Sequence, residues 1–428
     1  MLRRVGHNNT SIDDRARRMR NALWGLFIGD ALAMPAHWFY SIENIKRVFD
    51  GGLTGFEPAP HPHPESFMVG MTYRPDVENA KRLGRPFDIL HDHARFYDTS
   101  YGRLEIATGE RESEHGNATP TLEDRYHYHH GLKAGENTLG ANLVRVLMRS
   151  VAEHGRYEPD AFLEAFVDYM TTPGLNRDPY TEIYLRRWFE NYSTGLSPRL
   201  CAEFQRDVWS IGSHGGVIGP MVASLLADGA YQGLGVALER QNLTHRSENV
   251  ASALIILVPL LHGLLRGADP SKILQTHSRH MRLPKVTGAE LFAAYRAHKG
   301  PGNIPRDETW RLHTELSDEA CDIERFVAEH ETEEEACKTL ATACYPEHGL
   351  PLALYLARKH GFDLNASLLA NANIGGDNVH RGMILGMLVG AAAEEGVAEN
   401  LKNGLADSEA LSEEIVAFAN VAVTGRGV

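Results

Sequence analysis

The sequence is poor in cysteine and in clustered positive charge. Its 428 residues include four cysteines, none of them in a Cys-x-x-Cys spacing. We therefore expect reduced, structural cysteines in a cytoplasmic protein. The formal net charge is −13, and the sequence contains no block rich in lysine or arginine. This balance argues against nucleic acid or an anionic membrane as the main partner.

Long apolar segments are also missing. The first 25 residues are charged and contain no apolar core, so we expect no signal peptide. The most apolar stretch, VASALIILVPLLHGLL at 250–265, is short for a bilayer and contains Pro259 and His262. We interpret it as a buried helix and expect no membrane span.

Alternating strand patterns are absent, whereas helical periodicity is widespread. It predicts helices near residues 14–34 and 138–155, within 158–174 with Pro173-Gly174 after the end, and in the segments listed next. These are 220–230, 247–267, 289–298, 332–345 and 348–361. The sequence thus predicts an all-α fold, a single domain over 1–428. Residues 51–133 are rich in Pro, Gly, His and Tyr and predict a loop-rich insertion.

Glycines recur at every fourth position in two of the helical segments. They are Gly25 and Gly29 in the first, and Gly382, Gly386 and Gly390 near the end of the chain. Residues four apart share one helix face. The pattern predicts that two helix backbones approach each other closely.

A Gly-Gly-Asp turn precedes the second glycine stripe. Gly375 and Gly376 are expected to leave backbone amides uncovered at a helix start, where the helix dipole stabilises an anion. The alternative for Asp377 is a helix N-cap.

Four segments resemble the ADP-ribosylglycohydrolase family of the dinitrogenase-reductase-activating type. They are GLFIGDALAMPAH from Gly25, AGENTLGANLVRVLMRSV from Ala134, RQNLTHRSENV from Arg240, and NANIGGDNVHRGMILGMLVG from Asn371. The resemblance implies a compact multi-helix fold whose site lies in loops at helix starts. It also implies two Mg²⁺ ions between acidic motifs, and hydrolysis of an N- or O-glycosidic bond to ADP-ribose.

The motifs that would hold the two ions are altered. At the family's TDDT position the chain reads Gly135-Glu136-Asn137-Thr138, and at its GGDTDT position Gly375-Gly376-Asp377-Asn378-Val379-His380. The acidic residue expected after the GDALG motif falls on His37, whereas Asp30 is retained.

These changes favour a site without the two-magnesium centre, because Mg²⁺ prefers carboxylate and other oxygen ligands. We expect no metal cofactor, although a single Mg²⁺ or other divalent cation is possible. A second possibility is a softer metal bound by His37 and His380 together with Glu136 and Asp377.

Catalysis without metals would depend on carboxylates and imidazoles at the family positions. We predict Glu136 or Asp377 as base or nucleophile, and His380 or His37 as acid. Alternatives are a solvated loop acid for Glu136, a core hydrogen bond for Asp30 and helix capping for His245. The predicted substrate-binding residues are Asp30, Asn137, Gly375, Gly376, Asn378, His245 and Tyr73.

The resemblance thus implies a hydrolase of a glycosidic bond in a ribosyl, nucleoside-like or other small glycosyl substrate. The rival hypothesis is a non-catalytic ligand-binding or structural relative that keeps the fold and the cleft. The expected partner is a small glycosyl compound, and the sequence does not indicate an oligomeric state.

Overall fold

The computed structural model describes residues 11–65, 73–93, 125–205, 211–298 and 303–424. In these residues nineteen α-helices and one short pair of antiparallel strands form, so the predicted all-α fold is confirmed. The first ten helices are α1 (Ile12–Ala33), α2 (Ile42–Val48), α3 (Val77–Leu83), α4 (Leu139–His154), α5 (Pro159–Thr171), α6 (Ile183–Ser193), α7 (Ile218–Ser224), α8 (Ala230–Asn242), α9 (Glu248–Leu265) and α10 (Pro270–Ser278). The other nine are α11 (Gly288–Ala297), α12 (Arg306–Thr314), α13 (Ile323–Glu329), α14 (Glu333–Thr339), α15 (Pro346–Lys359), α16 (Leu364–Ile374), α17 (Asn378–Ala392), α18 (Glu399–Asn403) and α19 (Ser408–Val423). The strands are β1 (Arg282–Pro284) and β2 (Leu316–Ala320).

Helices α1 and α17 contact each other backbone to backbone in the core. A Cβ atom on Gly25 would lie 2.0 Å from the carbonyl oxygen of Gly386, and one on Gly29 would lie 2.2 Å from that of Gly382. No side chain larger than hydrogen fits at such a contact. The close packing predicted from the glycine stripes is therefore confirmed.

Helix α17 is buried on every side, since all of its fifteen residues are inaccessible or nearly so. After Arg381 the helix contains only apolar residues and glycines, and a helix that is apolar all round belongs inside a large core. Helix α1 buries sixteen of its residues, and Ser11 starts it by accepting a hydrogen bond from the Asp14 backbone amide at 3.1 Å. The two helices bring segments from opposite ends of the chain together.

Helix α9 corresponds to the apolar stretch that was interpreted as a buried helix. By length and composition it is the one helix of the described residues that could cross a membrane, and 56% of it is buried inside the fold. Leu254, Leu257 and Leu261 on its inner face belong to the main hydrophobic core. This packing agrees with the interpretation as a core helix.

Some local predictions differ from the structure. Strands β1 and β2 were not predicted, because three and five residues are too few to show an alternating pattern. The helix predicted over 332–345 ends at Thr339, and the chain then extends towards the turn before α17. The insertion at 51–133 carries α3 and otherwise mainly loops, while its residues 66–72 and 94–124 lie outside the described part.

Candidate functional site

Asp377 lies in the core, immediately before α17, and three histidines surround its carboxylate. Its backbone amide donates to the Thr342 carbonyl at 2.8 Å, and its side chain makes no capping bond to α17. Oδ1 is 3.2 Å from His37 Nε2 and 2.8 Å from His380 Nδ1. Oδ2 is 3.3 Å from His214 Nε2. Asp377 therefore occupies the N-cap position of α17, as the alternative had it, but its side chain bonds to histidines instead of capping the helix.

The two glycines before Asp377 form a tight turn with positive φ angles of +63° and +69°. A Cβ on Gly375 would lie 2.1 Å from the Phe39 carbonyl oxygen, and one on Gly376 would lie 2.1 Å from that of Thr342. The Gly376 amide donates to the Phe39 carbonyl at 2.6 Å. The Gly375 amide is bonded within the end of α16. The expectation of uncovered amides is thus wrong, because the protein's own carbonyls accept from them.

Arg381 stabilises this turn through buried hydrogen bonds. Its guanidinium is fully buried and donates to the carbonyls of Thr342 and Gly375 at 3.1 and 2.7 Å. Its Nε donates to Asn371 Oδ1 at 2.7 Å. These buried hydrogen bonds fix the turn that precedes Asp377.

His37 reaches Asp377 from the other side, directly after α1 and the 3₁₀ turn Met34–Ala36. Its Nδ1 lies 2.6 Å from His129 Nε2, and His129 Nδ1 lies 2.9 Å from Asp178 Oδ1. Asp178 also accepts from the Leu139 amide at 2.7 Å, at the start of α4. A buried row of hydrogen-bonding groups therefore runs from Asp178 to Asp377.

His380 links Asp377 to the protein surface. Its Nε2 lies 3.3 Å from Glu182 Oε1, and the Glu182 side chain is 18% exposed while that of Asp377 is 1% exposed. A Cβ on Gly215 would lie 3.0 Å from the His380 ring. Glycine at position 215 thus leaves room for the ring beside the loop.

The electrostatics of the cluster separate its histidines into two kinds. Burial lowers the pKa of His37 to about 3 and that of His214 to about 4, so both are neutral at pH 7. Burial acts in the same direction on His380, but the carboxylates of Asp377 and Glu182 outweigh it and raise its pKa well above the usual value. Burial would raise the pKa of Asp377, yet the neighbouring histidines, His380 foremost, hold it well below the usual value.

A cleft opens at the Glu182 end of this cluster. It is narrow, since a water-sized sphere can occupy only about 30 Å³ of it, and part of it is open to solvent. Its lining includes Glu182, His380, Tyr184, Arg240 and His245. The charged pair of Asp377 and His380 therefore lies directly behind a solvent-accessible carboxylate.

His245, predicted to bind substrate, is a buried wall of the same cleft. Its ring packs against that of Tyr184 at a centroid distance of 4.1 Å, and its Nδ1 is 2.9 Å from Thr244 Oγ1. Burial lowers its pKa to about 3. The structure brings His245 and His380 to one cleft, as neutral and charged imidazoles respectively.

Comparisons with known proteins identify the family and the fold. The model of the ADP-ribosylglycohydrolase family matches residues 11–426. The chain belongs to the ADP-ribosylglycohydrolase family. A solved structure described as an ADP-ribosylglycohydrolase-related protein complex aligns with a TM-score of 0.50 at 15% identity, covering 96% of this chain and 99% of that chain; this likeness concerns the fold alone. A search of curated proteins finds no significant match.

The ADP-ribosylglycohydrolase motif at the start of α4 lies against Asp30 of α1. Asp30 Oδ1 accepts from Thr138 Oγ1 at 2.6 Å, and its Oδ2 accepts from the Thr138 amide and from Asn137 Nδ2, both at 2.8 Å. Burial raises the pKa of Asp30, and these hydrogen bonds act in the opposite direction. The contacts agree with the core hydrogen bond considered for Asp30, and Asn137 shares in it.

Glu136 belongs to the same motif, but its carboxylate contacts Lys133 and Arg177 instead of Asp30. Its carboxylate accepts from the Lys133 amide at 2.7 Å and pairs with Arg177. Within the described residues, no hydrogen bond or ion pair joins it to Asp377. Its catalytic role stays a prediction, to which the geometry adds no contact.

Two further predicted substrate-binding residues make internal contacts. The Tyr73 hydroxyl donates to the Phe87 carbonyl. Asn378 Nδ2 donates to the Ala372 carbonyl at 3.1 Å, while its Oδ1 is buried without a partner among the described residues. Their roles in binding stay predictions.

Sequence reasoning missed Glu182, His129 and Asp178. Each stands outside the four segments that resemble the family, so the motifs did not point to them. The run YHYHH at 126–130 was the one sequence signal for His129, because it concentrates imidazoles in one short segment. Glu182, directly before α6, carried no comparable signal.

Proposed function

We propose that the protein hydrolyses the glycosidic bond of a ribosyl or nucleoside-like substrate bound in the cleft beside Glu182. Membership in a family of glycosyl hydrolases supports the reaction class. The observation that carries the proposal is the array of Glu182, His380 and Asp377, which joins a cleft carboxylate to a buried charge pair.

Glu182 would accept the proton of the attacking water. It is the partly exposed carboxylate of the array, and its negative charge also suits the oxocarbenium-like transition state of glycoside cleavage. His380 fixes the position of this carboxylate through the 3.3 Å contact. The proposal therefore moves the base from the predicted Glu136 to Glu182.

His380 would supply the proton for the leaving group from Nε2, the nitrogen that faces the cleft. The raised pKa keeps this nitrogen protonated at neutral pH, because Asp377 and Glu182 stabilise the imidazolium. His37 suits this role less well, since burial lowers its pKa to about 3. Asp377 then acts as a positioning residue that stabilises the charge on His380.

The walls of the cleft favour a sugar that carries an aromatic or anionic group. Tyr184 offers a ring face, and Arg240 has a buried Nε with no partner among the described residues. Aromatic faces stack on bases or sugars, and guanidinium groups bind carboxylates and phosphates. Both observations support a nucleoside-like or phosphorylated substrate.

The donors at the family's motif positions do not suit two magnesium ions. Position 379 is valine and position 380 is histidine, while Asp30 and Glu136 are already bonded to protein donors. Mg²⁺ requires several oxygen ligands. We therefore route no step of the reaction through magnesium.

The test is a hydrolysis screen with a matched pair of variants. Release of free sugar is measured from nucleosides, ADP-ribose conjugates and simple glycosides. With the best substrate, Glu182→Gln is expected to lower kcat by about 10²–10⁴-fold, the usual contribution of a general base. Glu164→Gln, an exposed glutamate of α5 outside this cleft, should retain full activity.

Circular dichroism and melting temperature establish that both variants are folded. Unchanged turnover in a folded Glu182→Gln protein would refute the assignment of the base. Cleavage of no compound, together with thermal stabilisation by one of them, would instead favour the non-catalytic binding protein.

A further inference from the structure

Three ligand atoms of different side chains converge in the core. His37 Nε2, Asp377 Oδ1 and His380 Nδ1 all lie within 4.8 Å of one another. The side chains that carry them are 0%, 1% and 5% exposed. We propose that these residues bind a single divalent metal ion of the imidazole-preferring class, such as Zn²⁺, where the family has its magnesium ions.

The spacing of the donors fits one small ion. Asp377 Oδ1 is 3.2 Å from His37 Nε2 and 2.8 Å from His380 Nδ1. Ligand atoms around a tetrahedral Zn²⁺, with bonds of about 2.0–2.1 Å, stand about 3.3 Å apart. Two nitrogen donors and one carboxylate oxygen are also the ligands that Zn²⁺ and similar ions select, and Mg²⁺ does not.

Each proposed histidine ligand is oriented through its other nitrogen. His37 Nδ1 is held by His129 and, through it, by Asp178. His380 Nε2 is held by Glu182, and the ion would replace the proton that the metal-free imidazolium carries on Nδ1, leaving the Nε2–H directed at Glu182. Metal-binding histidines in proteins characteristically donate their second N–H to such outer partners.

His214 lies beside the other carboxylate oxygen of Asp377. His214 Nε2 lies 3.3 Å from Asp377 Oδ2, yet within the described residues this oxygen accepts no well-aligned hydrogen bond. His214 Nδ1 is likewise buried without a partner there. Unsatisfied polar atoms in a core are costly, and an ion beside Asp377 would compensate for part of that cost.

The first measurement is the metal content of the full chain without substrate. Protein stripped with EDTA is equilibrated with Zn²⁺ or Mg²⁺ alone, dialysed, and analysed by mass spectrometry. We expect one Zn²⁺ per chain and no retained Mg²⁺. In protein loaded with Cu²⁺, electron paramagnetic resonance should resolve coupling to at least two imidazole nitrogens.

Variants then assign the site. His37→Gln and His380→Gln should each weaken Zn²⁺ binding by more than about 100-fold, and Asp178→Asn by about 10- to 100-fold, as for an outer partner. His262→Gln is the control, because His262 is equally buried but bonds to the Ser224 carbonyl. It should bind Zn²⁺ as the parent protein does.

Three results would overturn the proposal. They are no Zn²⁺ retained by the parent protein, a copper spectrum with fewer than two nitrogens, and unweakened Zn²⁺ binding by folded His37→Gln and His380→Gln. The copper spectrum of the parent protein decides the matter if the variants do not fold. Because no substrate is used, a negative result leaves the proposed hydrolysis to its own test.

Discussion

Replacing Gly386 by alanine tests the backbone contact between α1 and α17. A Cβ at this position would lie 1.9 Å from the Gly25 carbonyl oxygen, whereas ordinary contact begins at 3.4 Å. The helices would have to separate locally by the difference, about 1.5 Å. No side chain can rotate away, because the obstructing atom belongs to the backbone.

Two opposing effects decide the sign of the change in stability. Alanine is favoured over glycine inside a helix by about 1 kcal/mol. Overpacking a core costs about 1–3 kcal/mol, and we expect about 3 kcal/mol here because the partner is rigid. The net expectation for Gly386→Ala is a loss of about 2 kcal/mol in the free energy of unfolding.

Gly235 provides the matched control in helix α8. It is exposed, and a Cβ there meets nothing within 4 Å. Gly235→Ala should therefore keep the propensity gain of about 1 kcal/mol and be stabilised. Thermal melting and urea unfolding, followed by circular dichroism, would rank both variants against the parent protein. The reasoning is refuted if Gly386→Ala is as stable as the parent or more so.

Three more predictions concern the site and its surroundings. The free energy of unfolding should fall as pH drops from 6.5 towards 3. His37 has a pKa lowered to about 3 in the folded protein and stays neutral there, whereas in the unfolded chain it takes up a proton. Urea unfolding at several pH values should give a slope of about 1.4 kcal/mol per pH unit for each such histidine. Thr138→Val removes the hydroxyl that donates to Asp30 at 2.6 Å and should lower the melting temperature through a loss of about 1.5–3 kcal/mol, which Thr138→Ser should largely avoid. Gly376→Ala should impair folding far more than Gly84→Ala in solubility and melting assays, because both have positive φ but only the former would meet a carbonyl oxygen, at 2.1 Å.

The sequence predicted several long helices, among them α1, α4 and α9, because their apolar periodicity is strong, whereas it did not predict α6, α8, α16 and α19. The glycine stripes even indicated which helix faces meet, since only a close backbone contact explains glycine at every fourth position. Short elements were less accessible. Strand β2 has only five residues, four of them exposed, so no burial pattern distinguishes it from a loop.

Site residues could be predicted only where they stand at a motif position of the family. Asp377, His37 and His380 stand at recognisable motif positions, and the structure brings them together. Glu182 and Asp178 are ordinary acidic residues in a polar stretch, and only the fold places them beside His380 and His129. Glu136 stands at a motif position, yet its bond to Arg177 depends on a loop whose path the sequence does not specify.

The separation of His37 and Asp377 along the chain has a consequence for synthesis. The two residues in contact are 340 positions apart, and the helices that bring them together meet only when α17 has left the ribosome. At about 5–20 residues per second, about 17–70 s pass between the synthesis of His37 and that of Asp377. The nascent protein therefore contains His37 without its carboxylate partner until α17 has been made.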